Sequence, residues 1–471
     1  MTDGYEAATP LDDADPVCRL SAAELAEAYA SLGLSPVEAV TACLARAEAV
    51  QARCNAFTRI DHAGALAAAR ASEERWRRGT PLSPLDGIPT TLKDMVRVRD
   101  WVVRYGSPTT PDEPCAEDAP AVAGLRAVGA VFLGQTTTPE FGWKAVTDGR
   151  LTGITRNPWN LAMTPGGSSG GAAVAAAAGA GVLHLGTDGG GSIRIPACFT
   201  GITGLKPSYG RVPAYPASPF GTVAHLGPMA RRAGDAALML GAMAGRDPDD
   251  WLQGPGRLPE LDAAPEAFAG ARIGFWSAPP SGRLDPEVGA VVSNVVRDLE
   301  RLGAKVEPVD LPDEGLFETF TAHWYAGAAN RVASLPEAAR WELDPGLRQI
   351  AEAGARLGAV DYLRAMDARA GFGRRMDALL GRFDILVSPA CAVTAFAAGA
   401  EVPPGSGLSR WIEWAGFSFP LNLSQQPAVS VPCGRIRGLP VGLQIVGARG
   451  ADARVLGFAA AFEDAFPEHV L

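Results

Sequence analysis

The chain has 471 residues, 47% of them hydrophobic and 20% charged, a composition that allows a large buried core and excludes an intrinsically disordered protein. Its 42 basic and 52 acidic residues give a formal net charge of −10, which argues against a surface for nucleic acid or for anionic membranes. The seven cysteines include no Cys-x-x-Cys pair, so we expect buried free thiols and a reducing, cytoplasmic location.

The N-terminal part of the chain predicts helices. Residues 1–17 are polar and contain proline, and we expect a loose lead-in without a secretory signal. Two capping boxes, Ser-Ala-Ala-Glu at 21–24 and Ser-Pro-Val-Glu at 35–38, each begin a helix. A stretch rich in alanine and charge predicts a third helix over 61–78. Residues 18–80 therefore form a predicted helical N-terminal segment.

Apolar strands alternate with helices through the rest of the chain. Further predicted helices cover 118–128 and 171–178. The predicted strands are 88–92, 130–133, 182–185, 272–276, 305–309, 384–387, 428–431 and 441–446. This alternation favours a mostly parallel sheet with helices on both faces. We therefore predict an α/β fold: one large α/β/α domain over 1–471 with a central mixed, mostly parallel twisted sheet. The longest apolar run, 170–183, is shorter than the ~20 residues that cross a bilayer, so no membrane span is expected.

Several common functional signatures are missing. The five histidines show neither His-Glu-x-x-His nor His-x-His spacing, so no metal site is expected. No Gly-rich phosphate-binding motif follows a strand, so no nucleotide and no other cofactor is expected. Residues 166–170 match Gly-x-Ser-x-Gly. No hydrophobic strand precedes them, however, and this disfavours the nucleophile elbow of an α/β-hydrolase.

Two serine–glycine clusters are the strongest functional signal in the chain. They occupy 166–171 and 189–192, and the second follows the predicted strand 182–185. The amides of its three glycines can converge beside the hydroxyl of Ser192, which is what a nucleophile with an oxyanion hole requires. A glycine turn that only reverses the chain is the alternative interpretation.

Lys93 is the candidate base for that serine. A serine hydroxyl is a weak nucleophile without a base, and a desolvated lysine can serve because burial favours its neutral form. Lys93 follows the predicted strand 88–92. A solvated charge, or an ion pair with Asp94, is the alternative interpretation.

Long stretches of the chain resemble the amidase signature family of serine hydrolases. The block 157–211 contains Pro-Gly-Gly-Ser-Ser-Gly-Gly, then Gly-Thr-Asp-Gly-Gly-Gly-Ser-Ile-Arg-Ile-Pro, then Gly-Leu-Lys-Pro-Ser-Tyr-Gly-Arg-Val-Pro. Residues 87–94 resemble the lysine motif of the family, and 426–432 and 438–444 resemble its C-terminal strands. The resemblance implies the amidase signature fold.

The resemblance also divides the chain and implies roles for single residues. The signature core would span 81–215, and 216–471 would supply the remaining sheet, helices and pocket loops. Ser192 would be the acylated nucleophile, Ser168 a bridging serine on a cis peptide after Gly167, and Lys93 the proton acceptor. The implied oxyanion donors are the amides of Gly189, Gly190, Gly191 and Ser192. The implied supporting residues are Ser169, Asp188 and Arg194.

A hydrolase of carbon–nitrogen acyl bonds follows from the resemblance. The implied substrate is a small amide, an aryl amide or a carbamate, and a homodimer is a family-level expectation. Aromatic side chains are candidates for an apolar pocket, with core packing as the alternative for each. These candidates are Trp143, Trp414 and Phe417.

The alternative function is that of the glutamine-hydrolysing, A-type component of an amidotransferase built from several different chains. Relatives in that role often carry glutamine where this chain has Ile195, which disfavours it. One further departure concerns the pocket: Gly189 replaces a bulkier residue of many relatives, which predicts a wider pocket on the oxyanion side.

Overall fold

The computed structural model describes residues 13–253, 268–312 and 314–471. The predicted lead-in lies outside the described residues up to residue 12. Its last part is ordered, because the Val17 amide donates a hydrogen bond to the Asp15 carboxylate (2.9 Å) at the start of a 3₁₀ turn, Pro16–Arg19. Both predicted capping boxes are present, at Ser21 and at Ser35.

One large sheet organises the described part of the chain, and a small hairpin lies apart from it. The strands are β1 Phe57–Ile60, β2 Pro89–Lys93, β3 Val131–Thr136, β4 Asp148–Gly149, β5 Gly153–Ile154, β6 Leu183–Asp188, β7 Thr203–Lys206, β8 His225–Ala230, β9 Arg272–Phe275, β10 Lys305–Pro308, β11 Ile385–Pro389, β12 Ala428–Ile436 and β13 Leu439–Val446. β4 and β5 form the hairpin, and the other strands form the sheet in the order β1-β3-β2-β6-β8-β7-β12-β13-β11-β9-β10. Each of the predicted strands lies in this sheet. The pattern missed β7 and β8, whose glycine and proline residues interrupt the apolar run, and the short β1.

The sheet is mixed, as predicted. Parallel pairing occurs in two blocks, β3-β2-β6 and β11-β9-β10, and the other neighbours pair antiparallel. The apolar strands predict a larger parallel share than this, because a strand buried on both faces has the same apolar signature in either pairing. One antiparallel pair had a local signal: β12 and β13 are joined by Arg437 and Gly438, both with positive φ (51° and 80°), as a tight hairpin turn requires.

Helices cover both faces of the sheet. They are α1 Ala22–Ala30, α2 Pro36–Cys54, α3 His62–Arg77, α4 Pro120–Ala127, α5 Gly170–Ala177, α6 Arg194–Thr200, α7 Ala233–Met243, α8 Pro286–Arg301, α9 Leu316–Ala333, α10 Pro345–Gly354, α11 Ala359–Leu380, α12 Pro420–Leu423 and α13 Asp452–Ala465. Side chains alternate along a strand, and β11 shows the result. Ile385 and Val387 join one hydrophobic cluster, whereas Leu386 joins a second, aromatic-rich cluster.

One edge of this sheet gathers both serine–glycine clusters. β2 and β6 are parallel neighbours, so their carboxyl ends lie at the same edge, with Lys93 and Asp188 as their last residues. The helix α5 begins within the first cluster and α6 begins two residues after the second, and α5 packs against both strands. All eight residues of α5 are buried, as expected of a helix that is apolar on every side.

The cysteines and the helices bear on the remaining predictions. All seven cysteines are free and six are buried, in agreement with the expected unpaired thiols. None of the helices within the described ranges is long and apolar enough to cross a membrane.

Candidate active site

Lys93 lies fully buried at the end of β2 among three hydroxyl groups. Its Nζ is 2.7 Å from Ser168 Oγ, 2.9 Å from Ser169 Oγ and 2.8 Å from Thr187 Oγ1. Among the described residues, no carboxylate lies within ion-pair distance of this amine, and the alternative pair with Asp94 is not formed. Asp94 instead accepts backbone N–H bonds from Arg104 (2.8 Å) and Gly106 (3.1 Å).

Burial decides the charge of Lys93. Desolvation lowers the pKa of its amine well below the ordinary lysine value, and the nearby carboxylate of Asp188 offsets only part of this effect. A neutral amine has two N–H donors and one lone pair, so one of its three hydroxyl neighbours can donate to it. The site therefore holds a lysine that can accept a proton through a hydroxyl in direct contact.

The first serine–glycine cluster places its serines on either side of this amine. The peptide bond between Gly167 and Ser168 is cis, as the resemblance implies. Ser169 is fixed more tightly, because its hydroxyl donates to Thr187 O (3.1 Å) and accepts from the Thr187 amide (3.2 Å). The amide of Ser169 also donates to the carbonyl of Ser192 (3.1 Å), so the two clusters are joined through their backbones.

Ser192 lies at the floor of an open cavity. Its side chain is 7% exposed and lines the cavity together with Ser168, which is 2% exposed. In the part of the chain that the structure describes, no hydrogen bond joins the Ser192 hydroxyl to Ser168. The structure therefore brings Lys93 and Ser168 into contact and places Ser192 in the same cavity as Ser168.

A buried ion pair holds the triple-glycine loop. Arg194 and Asp188 are both fully buried and make a bidentate pair with two contacts of 3.0 Å. Burial alone would raise the pKa of Asp188, but the charge and hydrogen bonds of Arg194, with a bond from Asn422, hold it below its usual range. The Asp188 carboxylate also accepts N–H bonds from Gly191 (2.8 Å) and Ile193 (3.2 Å).

This arrangement corrects the predicted set of oxyanion donors. The Gly191 amide is already donated to Asp188, so it cannot also point at a substrate oxygen. Within the described ranges, the hydrogen bonds leave the amides of Gly189, Gly190 and Ser192 without an acceptor. The sequence-based prediction included Gly191 because it did not consider that the carboxylate of Asp188, three residues upstream, competes for this N–H.

Close packing explains why the loop consists of glycine. A Cβ on Gly189 would lie 2.8 Å from the ring of Trp324, and one on Gly190 would lie 2.7 Å from Trp411. Gly191 has a φ of +124°, a region that residues with side chains rarely adopt. The space predicted to open beside Gly189 is thus occupied by Trp324.

The cavity above Ser192 is aromatic, but not through the predicted residues. Its volume is about 430 Å³. The aromatic rings that line it are Tyr105, Phe141, Tyr209, Tyr215, Phe220 and Trp324. Trp143, Trp414 and Phe417 are at most 1% exposed and pack in the core beneath the site. For these three residues the structure shows core packing, which was the alternative interpretation.

Two further residues of this site had no clear signal in the sequence. Thr187 supplies the third hydroxyl on Lys93 and is the second-last residue of β6, where strand alternation could have indicated its direction. Asn422 donates to the carbonyl of Asp188 (3.0 Å) from 234 residues away. No local pattern connects those two positions.

Comparisons with known proteins show similarity along nearly the whole chain. The family model described as Amidase matches residues 38–456. The chain is 36% identical to an acylamidase of Rhodococcus erythropolis, over 95% of this chain and 96% of that protein. It is 34% identical to the A-type component of the glutamyl-tRNA(Gln) amidotransferase of Chloroflexus aggregans, over 93% and 94%. The crystal structure of a bacterial aryl acylamidase of the amidase signature enzymes matches with a TM-score of 0.88 at 30% identity, covering 96% of this chain and 97% of that chain.

Proposed function

Because the chain belongs to the amidase signature family and is an amide-hydrolysing enzyme, we propose that it cleaves carbon–nitrogen acyl bonds through an acyl-enzyme on Ser192. The observation that carries this proposal is the fully buried Lys93, whose amine lies 2.7 Å from the Ser168 hydroxyl at the floor of the Ser192 cavity. A neutral lysine in contact with a hydroxyl is a base that can act without histidine.

In the acylation step, the Ser192 oxygen attacks the amide carbonyl carbon. Its proton passes to Ser168, and the proton of Ser168 passes to the lone pair of Lys93. This requires the hydroxyls of Ser192 and Ser168 to form a hydrogen bond when substrate is bound, as catalytic hydrogen bonds often do only in the complex. The carbon–nitrogen bond then breaks, and the lysine ammonium returns a proton through Ser168 to the leaving nitrogen.

In the deacylation step, water repeats the sequence. Its oxygen attacks the acyl carbon while its proton passes through Ser168 to Lys93. The bond between the acyl carbon and Ser192 breaks, the carboxylic acid is released, and Ser192 regains a proton. Ser169 and Thr187 hold the lysine amine in place during both steps through their hydroxyl contacts.

The oxyanion of both tetrahedral intermediates would be stabilised by backbone amides. We assign this role to the amides of Gly189, Gly190 and Ser192, which have no acceptor in the described structure. Preorganised donors are effective because they need no reorientation in the transition state. The pair of Asp188 and Arg194 supplies that rigidity by fixing the Gly191 amide.

The same proposal covers the domain organisation, the substrate range and the cellular setting of the enzyme. The chain would act as one domain over 1–471, because a single sheet carries residues from β1 to β13. Carbamates are included as substrates because they present the same carbonyl to the serine. A homodimer in the cytoplasm, without metal, cofactor or nucleic acid, remains the expected setting.

The amidotransferase relative supports a second candidate function. At 34% identity over most of both chains, this chain could hydrolyse glutamine and deliver ammonia to a partner protein. Against this, Ile195 stands where relatives in that role often carry glutamine. The two functions differ in whether the isolated chain is active.

The test uses the purified chain alone, with an acyl anilide and with glutamine as substrates. We expect anilide hydrolysis, and labelling of Ser192 by a fluorophosphonate probe that is lost in Ser192→Ala. Ser424→Ala is the matched control, a buried serine outside the cavity whose hydroxyl donates to Pro420 O. Glutaminase activity that depends on a second protein would contradict the leading proposal.

A further inference from the structure

Arg331 forms part of the wall of the substrate cavity. It lies in the last turn of α9, partly buried, and lines the cavity. Its guanidinium stacks over the ring of Phe141, 4.2 Å from the centroid, and lies 5.7 Å from that of Tyr105. Phe141 precedes Gly142, where a Cβ would lie 3.2 Å from Ser168 Oγ. Arg331 therefore lines the same cavity as Ser168 and Ser192.

This guanidinium has no anionic partner in the chain as described. Among the described residues, no carboxylate lies within 4 Å of it, and its buried Nε has no hydrogen-bond partner. Several other arginines with buried or partly buried side chains do pair with carboxylates. Examples are Arg75 with Asp86, Arg211 with Asp452 and Arg410 with Glu401.

The missing partner is costly for Arg331. Burial lowers the pKa of its guanidinium, which shows that its charge is poorly compensated there. Stacking on aromatic rings offsets part of that cost. An incoming anion would satisfy both the charge and the unpaired N–H donors, because a guanidinium binds a carboxylate through two parallel hydrogen bonds.

Neither of the two carboxylates that line the cavity lies within 4 Å of this guanidinium in the described structure. Asp188 is paired with Arg194. Asp250 accepts backbone N–H bonds from Ala214 (2.8 Å) and from Leu252 (3.0 Å).

A second guanidinium, that of Arg97, also lines the cavity. Its ion pair with Glu117, at 3.4 Å, joins side chains that are 36% and 56% exposed. An exposed pair of this kind is weak. The cavity therefore combines aromatic walls with two guanidiniums, of which that of Arg331 has no carboxylate within 4 Å among the described residues.

We propose that the preferred substrates of this cavity are amides with an apolar or aryl body and one carboxylate away from the scissile bond, and that Arg331 binds that carboxylate. The inference rests on the proposed amidase function, since it concerns the same cavity. It makes Arg331 a specificity-determining residue. The remaining walls select for the apolar body, because most of the residues that line the cavity are apolar or aromatic.

The test compares two substrates that differ only in charge. The acidic substrate is the mono-4-nitroanilide of glutaric acid, and the neutral one is its methyl ester. Ionic hydrogen bonds to a carboxylate contribute roughly 10- to 100-fold in affinity. We expect kcat/KM for the acid to exceed that for the ester by at least about tenfold, and Arg331→Gln to remove the difference by raising KM for the acid alone. Arg331→Lys, which keeps the charge but loses the fork, should lie between the two.

Arg435→Gln is the matched control. Arg435 also stacks on an aromatic ring, that of Trp159 at 4.0 Å, but it lies outside the cavity. This variant should hydrolyse both substrates like the parent enzyme. Equal kcat/KM for acid and ester in the parent, or an equal loss of both in Arg331→Gln, would overturn the inference.

A binding measurement separates this inference from the proposed function. In Ser192→Ala, titration calorimetry should show roughly 10- to 100-fold tighter binding of the acid than of the ester, and the added Arg331→Gln should abolish the difference. If the parent enzyme hydrolyses neither anilide, the proposed function fails, yet this measurement still decides the role of Arg331. Equal binding of acid and ester would refute it.

Discussion

Two fully buried basic residues of the site, Lys93 and Arg194, differ in the charge state that their surroundings favour. Lys93 contacts hydroxyl groups and lies within ion-pair distance of no carboxylate among the described residues, so burial drives its amine toward the neutral form. Arg194 is equally buried but shares a bidentate pair with Asp188 and donates to the carbonyl of Ser418 (2.9 Å). The first region can accept a proton, and the second cannot.

The difference shows that burial alone does not determine what a cation does. A desolvated cation either loses its proton or needs partners that offset its charge, such as a carboxylate or an aromatic face. Lysine can take the first course because its ordinary pKa is near 10.5, whereas arginine stays protonated and needs such partners. Lys93, in contact with Ser168, is thus suited to the proposed role of base, and Arg194 is suited to holding the glycine loop through Asp188.

The largest expected effect comes from a substitution of the lysine. Lys93→Ala removes the proposed proton acceptor, and kcat should fall roughly 10²- to 10⁴-fold, the range of a general base. Thermal unfolding of the same sample shows whether the fold is intact. Near-full activity of Lys93→Ala at neutral pH would rule out this lysine as the base.

The next largest effect is expected when Arg194 loses its carboxylate partner. Asp188→Asn leaves Arg194 buried without its counter-charge, which should lower the free energy of unfolding by about 3–5 kcal/mol, measured by urea denaturation. The matched control is Asp86→Asn, another buried carboxylate with a bidentate arginine, Arg75 (2.6 and 2.7 Å).

Both variants should be less stable, but only Asp188→Asn should also lower kcat per folded molecule, because Asp188 orders the Gly191 amide. An equal loss of kcat in Asp86→Asn would show that the effect is general destabilisation. In that case the pair of Asp188 and Arg194 would have no role in catalysis apart from its effect on stability.

A pH profile sharpens the contrast between the two cations. Lys93 accepts a proton only when neutral, so kcat/KM should rise with pH by up to about tenfold per unit and reach a plateau as the amine deprotonates. Its pKa is lowered by burial, which places the midpoint below the ordinary value of 10.5.

Lys206→Met provides the control for that profile. Lys206 is also fully buried with a lowered pKa, but its amine donates to the backbone carbonyls of Pro207 and Gln426 rather than to the serines. The midpoint should be the same in this variant. A midpoint that moves with Lys206, or a rate that falls as pH rises through this range, would contradict the assignment to Lys93.

The smallest expected effect tests the third hydroxyl on the lysine. Thr187→Val keeps the shape of the side chain and removes one hydrogen bond of 2.8 Å. A neutral hydrogen bond contributes about 1 kcal/mol, so kcat should fall about fivefold. A loss as large as that of Lys93→Ala, measured in the same assay, would mean that Thr187 belongs to the proton path itself.

Much of the framework could be predicted because its signals are short-range. The capping boxes at Ser21 and Ser35 form as predicted, since each involves residues three apart. The alternation of strands and helices identified the α/β fold, and the motif around Ser168 and Ser192 identified the family. The antiparallel middle of the sheet escaped prediction because strand direction leaves no mark on an apolar run.

The sequence by itself determined which residue types stand at the candidate site: a lysine at a strand end, serines beside glycines, and an aspartate six residues before an arginine. The tertiary structure alone decided their states and partners. It surrounded the Lys93 amine with hydroxyl groups, assigned the Gly191 amide to Asp188, joined Asp188 to the distant Asn422 and put Trp324 rather than Trp143 into the cavity. The reason is physical: charge state, hydrogen-bond competition and cavity lining depend on which groups exclude water from one another. Those groups come from segments that only the folded chain brings together.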